Sequence, residues 1–230
     1  MNSSKIRVKP SDAASIIIIK RQKDNIFVLM GRRPLKSKFM PGIYVFPGGS
    51  LEKDDFYINK YYKLKTNSSR LHDKTYSDNH SIAIQLAAIR ETAEETGLFL
   101  GKKNDVENLE DFSEKNVWFN FYNKSLIPDI EKLIFLGRAI TPSFMKIRFH
   151  ARFFIAFIED FEGKVTSNGE LEELNWININ DISLINIADV TEFMLEQIAN
   201  LKIDFKKNII NYKHPMFTWR NKKRWIKWEK

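Results

Sequence analysis

Apolar and polar positions along this chain separate short strands from two longer helical stretches. Ala13 to Lys20 contains the aliphatic run Ile16 to Ile19 and reads as a buried strand. Asp24-Asn25 is a turn signal, and Ile26 to Met30 is the returning strand, so the two form a hairpin. Ile43 to Phe46 is a short strand stopped by Pro47-Gly48-Gly49. A helix begins near Asn79 to Ser81, both good N-caps, with Ile82, Leu86, Ile89 and Ala93 on its apolar face. Val117 to Tyr122 is aromatic and helical. Leu133 to Arg138, Phe149 to Glu159 and Leu174 to Ile179 are strands, with Ser167-Asn168-Gly169 a turn before the last. Ala188 to Leu201 is an amphipathic helix through Val190, Phe193, Met194, Leu195, Ile198 and Leu201. Strands and helices mixed along one chain predict an α/β sandwich, a mixed sheet covered by helices on both faces.

One part of this pattern carries chemistry. Glu91, Glu94 and Glu95 lie three and four residues apart, so a helix sets their carboxylates on one face. Like charges that close repel, and the helix gains nothing structural from them. A hard divalent cation such as Mg²⁺ or Mn²⁺ reverses that sign. The apolar stripe anchors the opposite side, which puts the acidic face at the domain surface. Gly97 is a good residue to end the helix just past the cluster.

Together with Phe46-Pro47-Gly48-Gly49, the stretch Arg90-Glu91-Thr92-Ala93-Glu94-Glu95-Thr96-Gly97-Leu98 resembles the Nudix box, G-x5-E-x7-R-E-U-x-E-E-x-G-U with U apolar. The second half matches nearly position by position, with Thr92 at the first apolar position. In the first half the early Glu position falls on Asp55. Thirty-four residues separate Asp55 from Arg90, where the family pattern has seven. The box is therefore read as split by an insertion of roughly 27 residues, a long surface loop. Gly31-Arg32-Arg33, Phe39 to Gly49, and Ile140-Thr141-Pro142 with Arg148 to Phe154 resemble the Nudix branch of the peroxisomal-type coenzyme A diphosphatases and their bacterial relatives. That branch usually has Asp where this chain has His150.

The resemblance implies a Nudix-type α/β/α sandwich and hydrolysis of a diphosphate linked to a further moiety. The substrate is a small anionic nucleoside diphosphate derivative, coenzyme A or acyl-coenzyme A by the branch. Nucleotide sugars and dinucleoside polyphosphates are alternatives, as is a non-catalytic nucleotide- or RNA-binding module. The family pattern makes Glu94 and Glu95 direct ligands of Mg²⁺ or Mn²⁺ and Glu91 either a further ligand or the acceptor that orients the attacking water, with a carbonyl near Gly48 and Gly49 as another ligand. Arg90 orients a catalytic glutamate. Many members use a further glutamate from a loop before a late strand; Glu170, Glu172 and Glu173 qualify, and Glu170 beside Asn168-Gly169 is the first choice. Arg32, Arg33, Lys36 and Lys38 precede the box, and Arg33 and Lys38 are the phosphate-binding candidates. Arg148 and Arg152, alternate on one strand, either serve the same purpose or face solvent.

Composition narrows the rest. The chain has 230 residues, enough for one core, read as a single domain over 1–230 with an insertion at about 56–80. The absence of cysteine excludes disulfide scaffolds and thiol nucleophiles and fits a reducing cytoplasm. No apolar run is long enough to span a membrane, the N-terminus lacks the apolar core of a signal peptide, and the C-terminus is not a peroxisomal address. A net charge of +8 favours anionic partners or serves solubility alone. The insertion interleaves Tyr57, Tyr61 and Tyr62 with lysines and Arg70; it grips a ligand or packs its rings on the domain. A basic aromatic tail at about 206–230 holds Trp219, Trp225 and Trp228. It stacks on bases, or docks on the sheet or on a partner subunit as in a homodimer; docking is the expectation.

Overall fold

A computed structural model describes residues 8–65, 75–104, 113, 116–201 and 212–229. The predicted hairpin is β1 (Ser11–Gln22) and β2 (Asn25–Arg32), turning through Lys23 at φ 53°. After it come β3 (Tyr44–Val45), β4 (Gly48–Ser50), α1 (Lys53–Tyr62), α2 (Asp78–Thr96) and β5 (Leu98–Lys103). The chain continues through α3 (Val117–Asn123), β6 (Leu126–Pro128), β7 (Ile134–Ile140), β8 (Phe149–Phe157) and β9 (Phe161–Gly163). It ends with β10 (Glu172–Asn178), α4 (Asp189–Leu201), β11 (His214–Arg220) and β12 (Lys223–Glu229).

The main sheet runs β10-β2-β1-β8-β7-β11-β12, with β3 on β2 and β4 on β1. β1 is parallel to β8 and β7 to β11, while the other pairs are antiparallel. The unbroken run Ile16 to Ile19 is apolar because both faces of β1 are covered. Ile16 and Ile18 meet α1, α2 and α3 through Ile58, Ile89 and Trp118. Ile17 and Ile19 meet α4 through Phe193, Met194 and Ile198. This is the predicted α/β sandwich, joined by a small sheet ordered β6-β5-β9.

Three expectations change. The acid-bearing helix α2 starts at Asp78, capped by Ser77, whose Oγ accepts from the His80 N–H at 3.2 Å. It is not an amphipathic surface helix, because α1, β4 and β5 cover the sides that the sheet leaves free. The segment read as a surface-loop insertion overlaps an ordered helix: α1 packs on α2 with Ile58 and Asp55 fully buried. Its Asn67-Ser68-Ser69 turn and Arg70 lie outside the described residues. Within the supposed tail, β11 and β12 form a hairpin that extends the main sheet through β7, instead of a tail with its tryptophans docked on the sheet or a partner.

Buried charge holds that hairpin. Arg138 on β7 donates twice to Glu229 on β12, Nε to Oε2 and Nη2 to Oε1, each at 2.9 Å, and both residues are 8% exposed. Removing one partner strands the other charge in the interior. Glu229→Ala is expected to lower unfolding stability in urea by about 3 kcal/mol. Arg138→Met combined with Glu229→Leu is expected to recover most of that loss.

Candidate active site

Local chain geometry builds the site at the junction of β1, β4 and α2. One edge of β1 is shared between two partners: its C-terminal half pairs with β2 and its N-terminal half with β4, Ala14 opposite Gly49 and Ser15 opposite Gly48. The side of α2 that carries the acids lies directly against β4. Gly48 sits at φ 152°, and a Cβ there would fall 2.4 Å from the Ala14 carbonyl oxygen. A Cβ on Gly49 would fall 2.2 Å from a Glu91 carboxylate oxygen. Only glycine lets this strand approach the acids so closely.

Glu91 and Glu95 are thus largely covered, where the helix pattern put the acidic face at the domain surface. Glu95 is 5% exposed, and its Oε2 accepts from the Gly48 N–H at 2.9 Å. Burial, reinforced by Glu91 and Glu170, pushes its carboxyl up to about 8 despite that hydrogen bond. Burial likewise pushes Glu91 up to about 7, with Glu94 and Glu170 adding repulsion and Arg90 opposing it. Glu170 comes in from the loop before β10. One carboxylate oxygen each from Glu91, Glu95 and Glu170 lies within 4.8 Å of the others. Three hard oxygens so close form a donor set that fits Mg²⁺ or Mn²⁺. Glu94, expected among the direct ligands, stands outside this group, its Oε2 accepting from Arg90 at 3.0 Å.

Arg90 is buried, not a surface partner, and all five of its N–H donors are engaged. Nε and Nη2 grip the two Asp55 oxygens at 2.9 and 3.3 Å, and Nη2 also reaches the Ser50 carbonyl at 2.8 Å. Nη1 donates to Glu91 at 3.1 Å and to Glu94 at 3.0 Å. Burial alone lowers its pKa, but hydrogen bonding and attraction from Asp55, Glu91 and Glu94 raise it further, so it stays charged. Asp55 also accepts from the Glu52 N–H at 2.8 Å, at the first turn of α1.

A cavity of about 790 Å³ opens beside the acids, lined by Glu91, Glu95 and Glu170 together with Gly48, Gly49 and Arg33. Arg33 donates through Nε to the Phe39 carbonyl at 2.9 Å, which fixes the stem of its guanidinium. Other expected cations go elsewhere. Lys38 is exposed and does not line the cavity. Arg32 is paired with Glu172 and Glu173 at 3.1 and 2.6 Å, which also takes those two glutamates away from the acid group. Arg148 donates to the Thr141 and Val8 carbonyls.

Arg152 is 1% exposed and points to the α2 face, opposite the cavity, where it pairs with Asp12. His150 shares that face, 2.8 Å from Arg138, in a separate polar cavity with Lys9 and Tyr76. Strand alternation decides this, since Ala151 and Phe153 take the cavity side of β8.

No family model matches the chain. A curated relative from Caenorhabditis elegans, "Putative nudix hydrolase 7", is 29% identical over 177 residues, covering 72% of this chain and 50% of its own length. The chain thus spans about half the length of the curated relative it matches. The crystal structure of a NUDIX hydrolase from Alicyclobacillus acidocaldarius superposes with a TM-score of 0.68 at 21% identity, over 86% of this chain and 95% of that one. A MutT NUDIX hydrolase from Burkholderia pseudomallei gives 0.47 at 15% identity, over 83% and 99%. No helix among the described residues is long and apolar enough to cross a membrane.

Two outcomes follow from the covered acids. Folding favours the neutral form of Glu95, so its contribution is fully favourable below the ordinary carboxyl value of 4.5 and is lost as pH rises toward about 8. In chelator, the wild type is therefore expected to melt progressively lower than Glu95→Gln as pH goes from 5 to 8.5, and added Mg²⁺ should close the gap. Gly49→Ala forces the Glu91 carboxylate aside, which a flexible side-chain end can do cheaply. Calorimetry should show weaker Mn²⁺ binding with the melting temperature nearly kept.

Proposed function

We propose, from a fold that is that of the Nudix hydrolases and a sequence relative that supports the same superfamily, that this chain hydrolyses the diphosphate linkage of a nucleoside diphosphate derivative with the help of a divalent cation. The observation that carries this is the convergence of Glu91, Glu95 and Glu170 at one end of a cavity that also holds Arg33. Such an arrangement needs an anionic ligand and a cation together: the carboxylates alone repel a diphosphate, and Arg33 alone does not balance them.

Glu91, Glu95 and Glu170 would hold the ion, with backbone at Gly49 close by. When bound, it supplies positive charge against the diphosphate oxygens and makes water more acidic. The chain's own residues do the rest. The Gly48 N–H fixes Glu95. Arg90 fixes Glu91 and Glu94, a positioning role. Arg33 presents a planar guanidinium to the phosphate oxygens. We read the Asp55–Arg90 pair as the link between two halves of a split Nudix box, with Asp55 in the early carboxylate position.

Coenzyme A or an acyl-coenzyme A is the substrate suggested by the resemblance before the box, and Arg33 is the cation of that segment that faces the cavity. Nucleotide sugars and dinucleoside polyphosphates are the alternatives. A nucleic-acid module would rest on the C-terminal aromatic and basic residues, but Trp219 and Arg224 are engaged within the domain by Asp189.

The test is a panel of diphosphates with Mg²⁺, read by phosphate-product release. Glu95→Gln and Glu170→Gln should each cut kcat/KM by about 100-fold or more. Arg90→Lys, which loses the fork on Asp55, should cut it by about 10- to 100-fold. Full turnover in Glu95→Gln would overturn the assignment.

A further inference from the structure

The rest of the cavity lining is mainly apolar, although Asp189, Thr141 and Thr191 also belong to it. Its walls include Phe39 and Phe149, an edge-to-face pair 5.2 Å apart, together with Phe144, Met145 and Trp219. Phe144 is 72% exposed, so this apolar surface continues to the mouth.

Trp219 is the fixed member of this wall. It sits on β11, whose register against β7 pairs Met216 with Arg138 and Phe217 with Ala139. Thr218 locks the strand further, its Oγ1 donating to the Ile140 carbonyl at 2.7 Å. The indole Nε1–H donates to Asp189 Oδ2 at 2.8 Å. Asp189 opens α4, where a helix N-terminus favours its charge, and it is also paired with Arg224. The indole's one polar group is therefore committed, and what it offers the cavity is apolar ring surface.

We propose that Trp219 is a specificity-determining residue, and that the arm of the substrate beyond the diphosphate is an apolar chain lying along it. A polyhydroxylated arm in the same place would exchange water for carbon and lose its hydrogen bonds. An apolar arm gains from the same exchange. The proposal rests on the diphosphatase reading for the placement of the diphosphate at the acidic end. It chooses among the second arms which that reading allows, setting an apolar chain, as at the acyl end of an acyl-coenzyme A, above the unacylated arm of coenzyme A and above a sugar.

Two probes that share the adenosine diphosphate half separate the cases: its octyl ester and ADP-ribose. Calorimetric binding, with and without Mg²⁺, is measured beside turnover. Wild type is expected to bind the octyl ester at least tenfold more tightly than ADP-ribose. Trp219→Ala should lose about tenfold on the octyl ester, through KM with kcat within twofold, and less than twofold on ADP-ribose. Trp219→Phe keeps a ring without the N–H and should restore most of the preference, which separates ring surface from loss of fold. Equal binding of the two probes, or equal losses in Trp219→Ala, would overturn the proposal. Preferential octyl binding without hydrolysis would uphold the apolar arm and overturn the diphosphatase reading instead.

Discussion

The site depends on one buried guanidinium. Arg90 spends every donor it has: a fork on Asp55, one bond to the Ser50 carbonyl, and one each to Glu91 and Glu94. Asp55 and Ser50 belong to α1 and β4, while the glutamates belong to α2. A single side chain thus ties together two parts of the chain 35 positions apart. Charged groups this deep are tolerated only when paired, and removing one partner of such a pair costs about 3–5 kcal/mol. The same network that assembles the site therefore also penalises any fold that lets its halves separate.

From that anchor the remaining geometry follows. With Arg90 drawn toward β4, the helix turns Glu91 and Glu95 toward the same strand, where the bare backbone of Gly48 and Gly49 leaves room for their carboxylates. Glu170 arrives from the loop before β10, next to Gly169 at φ 94°. Burial and mutual repulsion then hold the acids in a state that a cation relieves. The strain is local, because the aliphatic layers on both faces of β1 carry the fold independently of the acids.

Much of this was legible in the chain. Glu91, Glu95, the glycines before them and Glu170, which the family resemblance suggested, come together in the structure, while Glu94 stands aside on Arg90. What pattern reading missed came from contacts between distant segments. Helical periodicity placed the acids on an exposed face because nothing local says that β4 will cover it. Arg148 and Arg152 looked like phosphate ligands by charge, yet β8 turns Arg152 toward Asp12. Trp219 looked like part of a tail because its strand pairs with β7, nearly eighty residues earlier. Thr92, a departure from the apolar pattern, is fully buried all the same.

The central claim is that Glu91, Glu95 and Glu170 act together as one divalent-cation site. Mn²⁺ titration followed by electron paramagnetic resonance tests it without any assumption about substrate. Wild type should bind Mn²⁺ at the site, and Glu170→Gln, at an exposed position that leaves the Arg90 network untouched, should weaken that binding by about tenfold or more. Unchanged Mn²⁺ affinity in both Glu170→Gln and Glu95→Gln would contradict the account.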